Sequence, residues 1–173
     1  MSTIAIGIAK LEYGTVGDGV PAASFTEITD SIAEGTVAFS FSDPTETNIM
    51  SETSDTPVHV IITKESPEYI ELALISPSAA TMALLAGGIA ASEKWSAPSA
   101  VPEVNKCIKL TTKANGGYYY EYTIVNSKIV AKLSQSPAKK AEERLLVRCY
   151  VQAAITSGGV TNSPFIRERK AVG

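Results

Sequence analysis

Between Ser76 and Gly88 the chain reads SPSAATMALLAGG, and no other stretch has the makings of a helix. Ser76 can cap it, Pro77 suits the first helical position, and the Gly87-Gly88 pair can end it. Between these ends only Ser78 and Thr81 are polar. A helix apolar nearly all round needs cover on more than one side. At about 77–87 it is also too short to span a bilayer. A chain with this one helix must build the cover from strands. The expected fold is mainly β: an antiparallel β-sandwich or barrel with a short α-helix packed on its side.

The rest of the sequence supplies strands. Ile4, Ile6 and Ile8 alternate with Ala5, Gly7 and Ala9, so Ser2 to Gly14 reads as a strand whose small face lets another backbone approach. Short strands are expected at Ser24–Ser31, Thr36–Ser42, Val58–Lys64 and Tyr69–Ile75. After the helix they recur at Cys107–Thr112, Tyr118–Tyr122, Lys128–Ser134 and Arg144–Ile155. Asn115-Gly116-Gly117 is a hairpin signal, and Asn126-Ser127 reads as a second turn. Residues 42–57, SDPTETNIMSETSDTP, read as a long acidic loop or ragged strand. Residues from about 160 to 173 read as a basic tail ending in Arg167, Arg169 and Lys170. Glu93 to Pro102 reads as a loop holding the only tryptophan, Trp95, either a plug for one end of the sheets or an interface anchor. About nine to eleven strands, in a chain of 173 residues, fit one sandwich domain spanning 1–173.

Charge is distributed unevenly. Residues 1–75 carry twelve acidic and two basic side chains, a formal −10, while residues 76–173 carry six and thirteen, a formal +7. Either strands of the two halves interleave and neutralise one another, or the protein presents an acidic and a basic surface suited to self-association.

The chemistry-bearing residues are sparse. The one histidine, His59, lies in a strand without a carboxylate nearby in sequence, which makes it a weak catalyst. Cys107 and Cys149 sit in apolar stretches and read as buried free thiols; with no CxxC and one histidine, a His/Cys metal site is not expected. The glycines at 14, 17 and 19 lack the spacing and following Lys-Ser/Thr of a phosphate loop. Four tyrosines between Tyr118 and Tyr122 would fall on both faces of a strand, without interleaved basic residues to hold a nucleic acid. Glu142-Glu143 are adjacent rather than set across a cleft. The expectation is no enzyme, no catalytic residues, no metal and no cofactor. The amino terminus shows no signal-peptide pattern, and no membrane segment is expected.

The order of these elements resembles the phage tail tube (major tail) proteins. The features that carry the likeness are the Ile4–Ile8 opening strand, the Gly17–Pro21 loop, the acidic stretch at Asp43–Thr56, and the strand Tyr69–Ile75 running into a helix that ends LLAGG, followed by Trp95 and Pro98. The resemblance implies a structural virion protein with a β-sandwich or barrel and a helix on its outer side. It implies six copies closing into a ring, rings stacking into a tube, and DNA passing through the lumen into the host cell without specific binding. A tape-measure protein and tail-terminator or baseplate proteins would be partners. The protein would be made in the host cytoplasm and reside in the virion, without membrane contact. Tubes of contractile injection and secretion systems are related. In this reading Ile4, Ile6, Ile8, Leu85 and Trp95 are candidate subunit contacts, and the 42–57 segment is suited to reaching a neighbour. The alternative is a β-sandwich module binding carbohydrate or another ligand through Trp95 and the Tyr118–Tyr122 cluster.

Overall fold

The computed structural model describes residues 4–64 and 68–173. The strands are β1 (Ile6–Gly14), β2 (Thr26–Ile28), β3 (Ala38–Ser40), β4 (Thr45–Ser51), β5 (Ser54–Thr63) and β6 (Tyr69–Ile75). Helix α1 (Ala79–Ala86) follows, then β7 (Ile89–Ala91), β8 (Lys94–Ser96), β9 (Val104–Lys113), β10 (Tyr118–Gln135) and β11 (Arg144–Val151). The chain ends in β12 (Ala154–Ile155), β13 (Thr161–Asn162) and β14 (Phe165–Ala171). Every pairing is antiparallel. The mainly β fold with one short helix is therefore as the sequence predicts. The expected strand start at Ser2 and Thr3, and Pro67, lie outside the described residues.

One strand organises the body. The main sheet runs β2-β1-β9-β10-β11-β6-β3, and β14 also pairs with β10. β9 follows one edge of β10; on the other, β14 takes Tyr118–Ile124 and β11 takes Ser127–Gln135. The turn expected at Asn126-Ser127 is thus corrected to a bulge within one 18-residue strand. Between Ile124↔Ile108 and Ser127↔Lys106, β10 spends one residue more than β9. A one-residue excess exchanges the faces of a strand. Before it, Tyr122 and Ile124 point inward beside Leu110 and Ile108; after it, Ile129 and Ala131 do so beside Cys149 and Val147. The bend lets the two arms of the sheet face each other. Phe39 of β3 then meets Tyr122 of β10 at 5.0 Å and Phe165 of β14 at 6.5 Å between ring centroids. The core is shared between the arms: Leu11, Ile108, Leu110 and Ile124 from one, Ile70, Leu72, Leu74, Leu145 and Val147 from the other.

Helix α1 closes this core with Met82 and Leu85. Its cap is Ser78, not Ser76, because the Ser78 side chain accepts from the Thr81 amide at 3.2 Å. Asp30 anchors the same end, accepting from the Ser78 amide at 3.0 Å and from the Thr81 hydroxyl. At the other end the predicted glycines are required. Gly87 and Gly88 have φ of 71° and 91°, and a Cβ on Gly88 would collide with the Ser96 carbonyl. Trp95 lies in β8, in a short hairpin with β7 rather than a loop, and its indole Nε1 donates to the Gly87 carbonyl at 2.8 Å.

Two segments read as irregular are regular. The 42–57 loop becomes β4 and the start of β5, a long hairpin that among the described residues pairs only with itself. Its alternation was masked in the sequence by Thr, Ser and acidic residues on both faces. The basic tail becomes β14, laid along β10 with Arg167 opposite Tyr122 and Arg169 opposite Tyr120. Cation–π contact holds it: the Arg167 guanidinium lies 4.2 Å from the Tyr120 ring and that of Arg169 4.9 Å from Tyr118.

Candidate functional site

The charge asymmetry resolves into two parts. Within the body the halves interleave, and acids of the first half meet bases of the second. Glu12 pairs with Lys109 at 3.0 Å, and Glu71 pairs with Arg148. Off the body, neutralisation stops. Asp43, Glu46, Glu52 and Asp55 are exposed on or beside the β4–β5 hairpin and make no ion pair among the described residues. On the basic side Lys94, Lys106, Lys113, Lys132, Lys139, Lys140, Arg167 and Arg169 likewise make no salt bridge among the described residues.

The hairpin is also unusually apolar for an exposed element. Pairing of Ile62 with Glu46 and of Val60 with Asn48 places Val58, Val60 and Ile62 on one face. These three are 68%, 44% and 62% exposed. The opposite face carries His59, Ile49 and Ile61, and both isoleucines are exposed as well. Ten residues of β5 reach about 33 Å at strand rise. A two-stranded ribbon of this length with uncovered apolar faces is a template for another chain.

The body has concave surfaces beside the helix and at the open end of the sandwich. The first is a groove of about 280 Å³ between α1, the segment around Trp95 to Pro102, and the end of β10. Its floor is Met82, Leu85 and Leu145, and its walls include Trp95, Val101 and Leu133. The second, at the open end of the sandwich, lies between Ile6 and Ile8 of β1, Val37, and Phe39 of β3.

The predicted contact residues separate across these surfaces. Ile4 and Ile6 are exposed, and Ile8 is half-buried against the core. They do not form a regular stripe, because β1 is irregular on both sides of Ile8 and Gly7 has a positive φ of 58°. Leu85 is 1% exposed and packs inside its own subunit, so a neighbouring copy would meet α1 through other residues. Trp95 is half-buried in the first groove and plugs the core beside the helix terminus. Of the hairpin, the sequence gives the strand over Val58–Lys64 and leaves 42–57 between loop and ragged strand; the structure makes Thr45–Ser51 and Ser54–Thr63 a paired ribbon.

The tyrosines do not make a flat platform: Tyr120 is buried, Tyr122 is half-buried against Phe39, and only Tyr118 is well exposed. The Gly17–Gly19 loop is bound to the chain itself. Asp18 accepts from the Ser157 amide at 2.5 Å and hydroxyl at 3.0 Å, and Asn162 donates to the Gly19 carbonyl at 2.8 Å. No cluster of three metal-ligating side chains occurs among the described residues. No helix there is long and apolar enough to cross a membrane.

Both cysteines are buried and free, as the sequence predicts. They occupy different environments. Cys107 lies under the 15–25 loop and accepts from the Ala22 amide at 3.4 Å. Burial raises its pKa, and the Ala22 amide and Lys109 offset part of that rise. Cys149 faces the core, and burial pushes its pKa from an ordinary 9.0 up to about 12, with the buried Ser127 hydroxyl offsetting part of the shift. The unfolded thiol ionises near 9.0 and the folded one only near 12, so between these values ionisation favours the unfolded state. Folding stability is accordingly expected to be unaffected by Cys149 below pH 9 and to fall between 9 and about 12, with Cys149→Ala flattening that part of the profile in denaturant titrations.

No protein-family model matches the sequence, and no curated protein matches it.

Proposed function

We propose that this chain is a structural subunit that self-assembles into rings and tubes, in the manner of phage tail tube proteins. The observation that supports the reading most is the β4–β5 hairpin, an arm with both apolar faces exposed and acids without ion pairs among the described residues, attached to a sandwich in which acids of the first half meet bases of the second. An arm of this kind is stabilised by a second copy, which removes its apolar surface from water and supplies basic partners. Because acceptor and donor surfaces differ, the contact is heterologous and closes into a ring when the rotation between copies permits. Six copies per ring, stacked rings and a lumen that conducts DNA into the host cell follow from the family likeness, as do a tape-measure protein and terminator or baseplate proteins as partners. Residence in the virion after synthesis in the host cytoplasm belongs to the same proposal.

Sedimentation velocity over rising protein concentration tests it. Discrete larger species are expected, and raising salt from about 0.05 M to about 0.5 M should weaken them, since exposed charges are screened over a Debye length of roughly 10 Å or less in this range's upper part. A strictly monomeric protein at high concentration that also fails to enter tubes with other tail components would remove the proposal.

A further inference from the structure

We infer that the groove beside α1 is the receptor for the β4–β5 hairpin of a second copy; this deepens the self-assembly reading and rests on it. The groove is lined by Val130, Ala131, Lys132 and Leu133 in succession. Successive strand residues point to opposite faces, so the groove runs along the edge of β10 rather than over one face. That edge is open. β9 leaves β10 at Ile129↔Val104, and among the described residues no strand continues beside 130–135 on that side. The segment that crosses nearby contains Pro98 and Pro102, which have no backbone N–H to offer it.

The groove matches the hairpin in three respects. It is apolar, with Val101 91%, Leu133 50% and Val130 44% exposed, opposite a face of Val58, Val60 and Ile62. It offers an unpaired strand edge to a ribbon whose outer edges are also unpaired, the geometry of strand addition. It carries Lys132, and Glu46 stands beside Ile62 on the hairpin's apolar face; neither makes a salt bridge among the described residues. The second concavity, at Ile6 and Phe39, has Lys113 and Glu34 together and lacks this one-sided charge. In the proposed contact Val58, Val60 and Ile62 enter the groove along β10, and Glu46 reaches Lys132.

Engineered cysteines test the contact directly, because Cys107 and Cys149 are buried and leave a clean background. Full-length Val60→Cys and Leu133→Cys proteins are mixed under assembling conditions and mildly oxidised. A mixed disulfide is expected in yield about tenfold above that of Val60→Cys with Ile6→Cys, which probes the other concavity, since two thiols bridge only when their Cα atoms approach within about 7 Å. As a second readout, Glu46→Lys and Lys132→Glu should each raise the concentration needed for assembly by about tenfold, and the double variant should recover most of the loss. Particles that form without the Val60–Leu133 link, or that link through Ile6, overturn this receptor and leave self-assembly standing. A wild-type protein that never assembles removes both.

Discussion

Replacing Leu85 by Asp is expected to unfold the subunit, giving aggregated or protease-sensitive protein. Leu85 is 1% exposed in the cluster formed by Met82, Ile129 and Leu145, and it is the helix's main contribution to that cluster. Truncation to Ala at such a site costs about 2–5 kcal/mol through lost transfer energy and the cavity left behind. A carboxylate adds the penalty of an unpaired buried charge, and the sum approaches the whole of a typical stability of about 5–15 kcal/mol. The Ala variant grades the same effect. It should stay folded but melt several degrees lower, because the truncation leaves a cavity without burying a charge. A folded Leu85→Asp protein with wild-type melting would show that α1 does not seal the core.

The second large effect concerns the hairpin and has the opposite pattern. Replacing Thr45–Thr63 with a short turn should leave the sandwich folded with nearly unchanged thermal stability, since among the described residues β4 and β5 pair only with each other. Assembly should be lost across the accessible concentration range. Covering Val58, Val60 and Ile62 is worth roughly 1.5–3 kcal/mol per side chain at full burial, enough to move an association equilibrium by several orders of magnitude. Unaltered assembly of this deletion, followed by light scattering, would assign self-association to another surface.

How much was readable in the sequence depended on where each signal resides. The helix was legible because its caps and composition are local; its start moved from Ser76 to Ser78, whose side chain accepts from the Thr81 amide and whose own amide is held by Asp30, far away in sequence. Tyr69–Ile75 matched its observed span because its apolar run is bounded by clear turn chemistry. The bulge in β10 was not legible. Asn126-Ser127 has the composition of a turn, and only the partners β9, β11 and β14 turn it into a bend inside one strand. β14 was hidden for a related reason: its Arg167 and Arg169 look like a solvated tail until the Tyr120 and Tyr118 rings lie beneath them. For the candidate surfaces, the acidic segment was visible in the sequence. Its order, and the open β10 edge with Lys132, depend on long-range pairing that no local pattern records. Leu85 was expected at a subunit contact because α1 is apolar all round, but that surface is used within the chain.

The most direct measurement is negative-stain electron microscopy of the purified full-length protein at high concentration and low salt. Rings, or tubes of stacked rings with an open lumen, are the predicted result. Fields of uniform small particles of about 18 kDa, unchanged when tail partners are added, would contradict the account.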